Sequence, residues 1–326
     1  MPKMINIHVL IPVYDDWESS IQLLKLIDDE LSHYAKDICI RITIVNDGGG
    51  KKKFTDDDLD LKNIAGIEIV HLLKNMGHQR AIAIGLCHLQ ESKDFDAVLV
   101  MDGDGEDTPE GVLALIDKYV ECKGEYSVFA KRKKRKENFG FKFYYKIYQI
   151  LHRILTGYAI EVGNFSIVPS QHISQLTVGA ELWNHYAASV VIFKIPRKLI
   201  PIDRGVRLQG QSKMNFISLA IHGMSAISVY NEKIVVRLLT FGVVLLVALM
   251  AALLTILGIK FFTELAITGW ATNAFGLTLL LLLNFITFLL IISISTLNER
   301  SKMNVLAIQN YHFFIAAKED LGCGKR

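Results

Sequence analysis

Two long stretches without a charged residue constrain the fold of this chain more than any other feature. Leu238–Ile259 has no charged residue over 22 positions, and Ala271–Leu297 has none over 27. As helices, both are long enough to cross a hydrocarbon layer of about 30 Å. We therefore predict a hairpin of two membrane-spanning helices, and the alternative is a pair of helices buried in a soluble core.

The charges that flank these stretches predict their orientation. Four basic residues lie outside the hairpin: Lys233, Arg237, Arg300 and Lys302. The short connection between the stretches offers only Lys260 and Glu264. Because basic residues favour the cytoplasmic side, both termini and the part before the hairpin are predicted to be cytoplasmic. The N-terminal residues lack the pattern of a secretory signal, which agrees with this orientation.

The part of the chain before the hairpin alternates strand and helix patterns. Apolar, β-branched runs predict strands at Ile5–Val13, Ile40–Val45, Ile67–Leu73 and Ala97–Met101. Helical spacing of apolar residues predicts helices at Trp17–Tyr34 and Gln79–Gln90. Such alternation predicts an α/β fold with a mostly parallel sheet. Ligands bind such sheets beyond the carboxyl ends of the strands, where residues 14–16, 47–50 and 102–107 are expected to meet.

An acidic segment directly follows the fourth predicted strand. It contains Asp102, Asp104, Glu106 and Asp107 on a turn with two glycines. Carboxylates held in this way suit a hard divalent ion, Mg²⁺ or Mn²⁺, that also takes phosphate oxygens. The alternative is a solvated acidic turn, but the position immediately after a buried strand favours the metal.

A basic run and two amphipathic segments indicate a membrane surface rather than a nucleic acid. Lys131–Lys136 reads KRKKRK, and either a nucleic-acid patch, a solvated loop or contact with anionic lipid would explain it. The net charge is only +3, and no aromatic-rich platform accompanies the run. Phe139–Leu155 and Asn215–Tyr230 are predicted to lie in the membrane interface, with packing on the globular core as the alternative. We therefore predict no nucleic-acid partner.

Two common site types are not indicated. The four cysteines are scattered without a CxxC pair, so neither zinc nor a disulfide framework is expected. The glycines after Asp47 lack the spacing of a phosphate loop, and no G-x-G-x-x-G is present. An ATPase and a dehydrogenase are therefore not supported.

Five ordered motifs carry a resemblance to a known family. MDGDGEDTPE, at residues 101–110, resembles the D-A-D-L-Q-D-P-P-E motif of inverting family 2 glycosyltransferases, in particular the dolichol-phosphate mannose synthase and bacterial polyprenyl-phosphate glycosyltransferase group. PVYDD (Pro12–Asp16) is similar to its P-x-Y-N-E, and VNDGG (Val45–Gly49) to its V-D-D-G-S. KNMGHQRA supplies Asn75, Gly77 and Ala81 of N-x-G-x-x-x-A. The pattern R-x-x-R-x-x-G-x-S-K is matched by Arg204, Arg207, Gly210, Ser212 and Lys213.

With the hairpin, this resemblance covers nearly the whole chain and implies its organisation. It implies a GT-A-type domain that binds a nucleotide-sugar, followed by interfacial helices and a two-helix transmembrane hairpin. The predicted division is a cytoplasmic glycosyltransferase domain at 1–213, an interfacial helix at 214–233, two transmembrane helices at 234–298 and a cytoplasmic tail at 299–326.

The resemblance also implies roles for individual residues. The nucleotide-sugar would be bound by Pro12, Tyr14, Asp16, Asp47, Asn75 and Asp102. The metal would be held by Asp102, Asp104 and Glu106, where Glu106 replaces the family's glutamine but keeps an oxygen ligand. The acceptor phosphate would be bound by Arg204, Arg207, Ser212 and Lys213. Arg132 is added to this group because it belongs to the basic run, which would attract the phosphate of a lipid carrier. The catalytic group would comprise Asp104, Asp102 and Asn164.

Asn164 is the main departure from the family pattern. It stands in a G-N-F sequence where the family has G-D-F, and an amide cannot act as a base. A phosphate acceptor does not need one, since its second pKa of about 6 leaves it dianionic at neutral pH. An alcohol acceptor would need its proton removed by a positioned group. Asn164 therefore favours a phosphate acceptor. The segment Leu182–Val191 also lacks arginines common in the family, which leaves sugar and acceptor specificity open.

The expected function is an inverting transfer from a UDP- or GDP-linked sugar to a polyprenyl phosphate of undecaprenyl or dolichyl type. The product would be a lipid-linked monosaccharide for cell-envelope glycans, made at a bacterial inner membrane. The alternatives are a glycosyltransferase with another membrane lipid as acceptor and a non-catalytic membrane scaffold. A homo-oligomer and a partner flippase or downstream glycosyltransferase are further expectations.

Overall fold

Eight strands form one sheet in the computed structural model of the chain, which describes residues 4–34, 37–50, 59–132, 139–159, 162–209, 223–263, 269–301 and 306–321. The strands are β1 (Ile5–Val13), β2 (Ile38–Asn46), β3 (Ile64–Leu72), β4 (Ala97–Val100), β5 (Ser127–Arg132), β6 (Ser166–Pro169), β7 (Arg197–Ile202) and β8 (Ile315–Leu321). Their spatial order is β7-β5-β6-β4-β1-β2-β3-β8.

Helices connect most of these strands. They are α1 (Trp17–Ser32), α2 (His78–Ser92), α3 (Pro109–Glu121), α4 (Phe139–Thr156), α5 (Ser170–Thr177), α6 (Tyr186–Ile192), α7 (Asn231–Phe262), α8 (Trp270–Ser301) and α9 (Ala307–Asn310). The predicted strands and helices of the first hundred residues are all present, with ends shifted by up to three residues. Helix ends fray, so shifts of this size are expected.

The sheet is mostly parallel, as predicted. β1 pairs in parallel with both β2 and β4, and β2 pairs in parallel with β3. β6 is antiparallel to β4 and to β5, and β5 is parallel to β7. β8 is antiparallel to β3. Only β6 and β8 therefore run against the common direction, and the carboxyl ends of β1, β2, β3 and β4 share one edge.

Apolar layers cover both faces of the sheet. Ile7, Val9 and Ile11 of β1 belong to the layer on the side of α1 and α3, whereas Leu10 belongs to the layer on the side of α2. All four are fully buried. Strands covered on both faces read as continuous apolar runs, which is why β1, β2 and β4 could be recognised from sequence.

The N-terminus of α3 fixes the position of the acidic segment. The hydroxyl of Thr108 accepts a hydrogen bond from the backbone N–H of Gly111 at 3.1 Å, and Pro109 opens the helix. A capping threonine and a proline in the first turn are both favourable at a helix start. Residues 102–107 are therefore confined to a short turn between β4 and α3.

Helices α7 and α8 are long and apolar enough to cross a membrane. Their mean hydropathy values are 2.8 and 2.7, and little of either is buried. The predicted spans Leu238–Ile259 and Ala271–Leu297 fall inside them. Length and composition support the hairpin, while its orientation and cellular membrane stay predictions.

The chain divides into two compact units. The first comprises Met1–Tyr145, Ile160–Val229 and Val305–Arg326, and the second comprises Lys146–Ala159 and Tyr230–Asn304. The predicted four-part division stays a prediction. The sequence analysis assigned no strand to the tail at 299–326, yet β8 adds an edge strand to the sheet of the first unit.

The predicted interfacial segments are described in part. Phe139–Leu155 is helical as α4, and its contact with a membrane stays a prediction. Half of Asn215–Tyr230 lies outside the described residues, and 223–228 is helical. The run at 131–136 also lies mostly outside them.

Candidate active site

The acidic turn is stabilised by its own carboxylates. The buried Asp107 accepts a hydrogen bond from the backbone N–H of Asp102 at 2.9 Å, and Asp104 accepts one from that of Glu106 at 3.0 Å. Gly105, with a φ of +86°, has the left-handed conformation that favours glycine. The side chains of Asp102, Asp104 and Glu106 keep 28%, 18% and 28% of their surface exposed. Three carboxylates are thus presented at the end of β4.

A loop after β7 lies directly over this turn. We call residues 203–209 the arginine loop. The backbone N–H of Gly205 donates to the carbonyl of Glu106 at 2.9 Å, and that of Leu208 donates to the carbonyl of Asp104 at 3.0 Å. These bonds hold Arg204 and Arg207, both predicted to bind phosphate, beside the carboxylates.

The arginines pair with carboxylates from two separate segments. One guanidinium nitrogen of Arg207 is 2.8 Å from Asp16 Oδ2, and the other is 3.2 Å from Asp104 Oδ2. Arg204 pairs with Glu106. Burial and the neighbouring charge of Asp102 raise the pKa of Asp104, whereas Arg207 opposes this effect. The structure therefore brings Asp16 and Asp104 together around Arg207, while the roles predicted for these residues stay predictions.

Asp47 holds the loop before α2 in place. Its two carboxylate oxygens accept hydrogen bonds from the backbone N–H groups of Met76 at 2.6 Å and Gly77 at 2.9 Å. Asn75 Oδ1 also accepts from the N–H of Gly77, at 2.9 Å. Burial raises the pKa of Asp47, although these backbone donors oppose the effect. Asp47 and Asn75 thus shape the same loop, and their contact with a nucleoside stays a prediction.

The other predicted nucleotide residues lie nearby in the chain but differ in exposure. Tyr14 is 43% exposed just past the end of β1, whereas Pro12 is buried inside β1 opposite Val45. Asp15 Oδ1 accepts a hydrogen bond from the N–H of Gly50 at 2.8 Å, which joins the segments after β1 and β2. Tyr14 is thus the more accessible of the two for a ligand.

The predicted phosphate-binding residues are described unevenly. Arg132 ends β5 and lies opposite Ile202 of β7, the residue directly before the arginine loop. Only the backbone of Arg132 is described. Ser212 and Lys213 lie outside the described residues. Arg204 and Arg207 are therefore the two predicted phosphate-binding residues whose side chains the structure describes.

Asn164 contacts two side chains of α2, and one of them, His78, links it to the acidic turn. Its Nδ2 is 3.0 Å from His78 Nε2, which is itself 3.2 Å from Asp102 Oδ1. Its Oδ1 accepts a hydrogen bond from Gln79 Nε2 at 3.2 Å. The sequence analysis singled out neither His78 nor Gln79, although both lie in the KNMGHQRA segment and directly follow Gly77.

The carboxylates fit a divalent cation that is bound partly by the protein and partly by phosphate oxygens. Across the described parts of the chain, no three His, Cys, Asp or Glu side chains converge as a ready-made ion site. Mg²⁺ is commonly held by one or two carboxylates together with substrate phosphates, so a complete protein cage is not required. Asp102 and Asp104 offer hard oxygen donors of this kind. Asp104 would exchange its contact with Arg207 for the ion.

Comparison with known proteins gives the class of enzyme. No protein-family model matches the chain. It is 24% identical over 281 residues to the uncharacterized glycosyltransferase YkcC of Bacillus subtilis (strain 168), covering 83% of each chain. It is 26% identical over 239 residues to the putative glycosyltransferase CsbB of the same organism, covering 70% of this chain and 67% of that one. The relatives are named as glycosyltransferases. They support a glycosyltransferase, while the nucleotide-sugar donor and the polyprenyl-phosphate subtype belong to the proposal below.

Solved structures with a related fold are more distant. Mannosyl-3-phosphoglycerate synthase from Rubrobacter xylanophilus is 11% identical with a TM-score of 0.47, over 69% of this chain and 72% of that one. Glucosyl-3-phosphoglycerate synthase from Mycobacterium tuberculosis, in complex with Mn²⁺, UDP and phosphoglyceric acid, is 12% identical with a TM-score of 0.46, over 70% and 78%. At TM-scores this low, no substrate, metal or mechanism is carried over from them.

Proposed function

We propose that this chain transfers a sugar, with inversion, from a UDP- or GDP-linked donor to a polyprenyl phosphate. The observation that carries the proposal is the meeting of the acidic turn and the arginine loop at the carboxyl edge of the sheet. Asp16, Asp104 and Arg207 lie in direct contact there although they come from three distant segments. Such a site presents carboxylates for a cation and guanidinium groups for phosphates.

The donor would bind with its diphosphate at the acidic turn. Asp102 and Asp104, with Glu106 beside them, would hold Mg²⁺ or Mn²⁺. When bound, the ion neutralises the charge of the leaving diphosphate. Tyr14, Asp47 and Asn75 belong to the neighbouring loops that would receive the nucleoside.

The arginine loop suits the recognition of phosphate. Guanidinium groups bind phosphate oxygens through two parallel hydrogen bonds. Among the described residues, the buried Nε of Arg204 has no hydrogen-bond partner. An unpaired buried donor is costly, and a phosphate oxygen would satisfy it. Arg204 and Arg207 are therefore proposed to bind phosphate once the cation has taken over the carboxylates.

The acceptor is proposed to be a phosphate because the site presents an amide where a base would be needed for an alcohol. Asn164 stands near Asp102 through His78 and cannot remove a proton. An ionised phosphate oxygen of the acceptor would attack the anomeric carbon directly. The new bond forms from that oxygen to the carbon as the bond to the nucleotide diphosphate breaks, so no proton transfer is required. Holding both reactants in one geometry supplies much of the rate.

The two long apolar helices would anchor the chain in the membrane that contains its lipid substrate. Their length and hydropathy support membrane spanning. The basic residues outside the hairpin favour a cytoplasmic location for both termini. We propose the bacterial inner membrane as the location and a lipid-linked sugar for the cell envelope as the product.

Product analysis tests the acceptor. The full chain in detergent is incubated with UDP- and GDP-sugars, Mn²⁺ and undecaprenyl phosphate, and the lipid product is then treated with mild acid. We expect release of the sugar, because a sugar phosphodiester is labile under these conditions. A product that resists mild acid, or transfer only to a hydroxylated lipid, would overturn the phosphate acceptor. For substitutions of the site carboxylates, Glu121→Gln is a matched control, because Glu121 pairs with Lys118 on the surface of α3.

A further inference from the structure

We infer that Gln79 is a positioning residue, which fixes the side-chain amide of Asn164 so that the Asn164 amino group faces the reaction centre. The site therefore favours an acceptor that arrives as an oxyanion. The inference rests on the proposed function in one respect, because it takes Asp102 to mark the reaction centre. The two amides are joined by a chain of hydrogen bonds whose direction is set by the main chain.

The first link fixes Gln79. The backbone N–H of Tyr186, at the start of α6, donates to Gln79 Oε1 at 2.8 Å. A main-chain N–H can only donate, so the oxygen of Gln79 must face Tyr186 and its amino group must face away. Gln79 is 8% exposed and Tyr186 is fully buried, so water offers little replacement for this bond. If the Gln79 amide were turned over, its amino group would face the backbone N–H of Tyr186, and two hydrogen-bond donors would oppose each other.

The second link fixes Asn164. The amino group of Gln79 donates to Asn164 Oδ1 at 3.2 Å. The oxygen of Asn164 therefore faces Gln79, and its amino group points in the opposite direction. Oxygen and nitrogen of an amide are usually assigned from their hydrogen-bonding network, and here the network leads back to a main-chain donor that has a single orientation.

The third link locates the amino group of Asn164. Nδ2 lies 3.0 Å from His78 Nε2, and this imidazole nitrogen lies 3.2 Å from Asp102 Oδ1. The amino group has two hydrogens: one is donated to Nε2 when the neutral His78 ring carries its proton on Nδ1, and the second remains for a ligand. An N–H donor stabilises an anionic oxygen, whereas a carboxylate at the same place would repel it. Gln79 and Asn164 together thus select for a charged oxygen close to the acidic turn.

The substitution Gln79→Glu separates this role from a purely structural one. A carboxylate at position 79 can still accept the Tyr186 N–H, so the bond to α6 is kept. Its other oxygen would face Asn164 Oδ1, and the Asn164 amide would turn over to donate to it. The amino group would then be withdrawn from the reaction centre without the removal of any buried side chain.

We expect Gln79→Glu to raise the KM for polyprenyl phosphate about tenfold, the effect of losing one hydrogen bond to a charged group. Donor-nucleotide affinity, measured by calorimetry, is expected to stay near its value in the unmodified chain. Gln90→Glu, the same change on the same helix away from the site, serves as the control. An unchanged KM in a folded Gln79→Glu protein would overturn the inference, as would a lower kcat with an unchanged KM.

A second variant covers the case in which Gln79→Glu does not fold. Asn164→Asp keeps the oxygen that accepts from Gln79 and replaces only the amino group. It is expected to raise the same KM about tenfold or more, and an unchanged or lower KM would contradict the inference. The proposed function has a separate test: it is contradicted if the unmodified chain transfers no sugar to polyprenyl phosphate.

Discussion

Carboxylates meet basic side chains in two regions of the first unit, and the two regions hold them differently. At the carboxyl edge of the sheet, Asp104 pairs with Arg207, which lies 103 residues further along the chain. Between the sheet and α2, Glu68 of β3 pairs with His88 at 2.7 Å, and the two residues are 20 apart. Near this second pair, the buried His8 contacts the hydroxyl of Thr43 at 3.3 Å. We call Glu68, His88, His8 and Thr43 the interior polar group.

The difference indicates which charges are free to change partners. The interior polar group lies on adjacent elements whose packing is set by the apolar layer around it, so its contacts belong to the fold. At the site, the basic side chains come from a loop laid over a turn, so their contacts depend on two loops rather than on packed strands and helices. An incoming cation or phosphate can therefore replace these contacts without disturbing the core. Substitutions in the two regions are expected to separate activity from stability.

The largest effect is expected from Asp104→Ala. Loss of this carboxylate should reduce sugar transfer by about 100-fold or more, the size typical of removing a group that stabilises charge at the reacting centre. Stability should change by about 1 kcal/mol, because the lost hydrogen bond from the N–H of Glu106 and the lost contact with Arg207 are partly offset by the relief of repulsion with Asp102. Transfer assays and thermal unfolding in detergent measure both. Normal turnover in Asp104→Ala would show that the carboxylates of the acidic turn, like the interior polar group, are not needed for activity.

The next effect concerns His8 and acid stability. Burial, followed by the charge of Arg41, lowers the pKa of His8 to about 4 from an ordinary value of 6.5. Between these values the unfolded chain binds more protons than the folded one, so stability is lost as the pH falls from 6.5 to 4. The contribution is about 3 kcal/mol. His8→Leu should flatten this part of the pH profile of unfolding, and an unchanged slope would show that His8 is not responsible.

A smaller effect on stability is expected from Glu68→Leu. The substitution leaves the ring nitrogen of His88 without its partner, and the free energy of unfolding should fall by about 1–2 kcal/mol. Glu68→Gln retains an oxygen towards His88 and should lose less. Denaturant unfolding measures the loss, and Mn²⁺-dependent nucleotide binding should be unaffected. A loss of nucleotide binding with full stability would place Glu68 in the functional region instead.

The smallest effect is expected from Arg207→Lys. Lysine keeps the charge but cannot span Asp16 and Asp104 as the two guanidinium nitrogens do. The KM for polyprenyl phosphate should rise about threefold to tenfold, in line with the loss of one hydrogen bond to a charged group, with the melting temperature preserved. Transfer assays at varied concentrations of polyprenyl phosphate measure the change. An unchanged KM would show that a single positive charge is sufficient.

The sequence predicted the parallel strands at the centre of the sheet better than the two strands that run against them. β1, β2 and β4 are apolar runs covered on both faces, so their pattern alone identifies them. β6 has four residues and β8 has the mixed sequence IAAKEDL, and neither has a periodicity that predicts a strand. Their places depend on pairing with β4 and β3, which is long-range information.

The site shows the same division between local and long-range information. Asp102 and Asp104 could be predicted because they directly follow a buried strand. Gln79 could not, because its partners Asn164 and Tyr186 are 85 and 107 residues away and no local pattern records those contacts. Motif resemblance brought Arg207 to the site, whereas its simultaneous contacts with Asp16 and Asp104 became visible only in the folded chain.

Calorimetric titration of nucleotide with and without metal tests the central claim most directly. UDP and GDP are titrated into the full chain and into Asp104→Ala, each with Mn²⁺ and with EDTA. The account predicts that one nucleotide binds the unmodified chain only with Mn²⁺, and that Asp104→Ala weakens this binding at least about tenfold, a difference of about 1.4 kcal/mol. Equal binding in EDTA and Mn²⁺, in both proteins, would contradict the role of the acidic turn as the seat of a cation and a diphosphate.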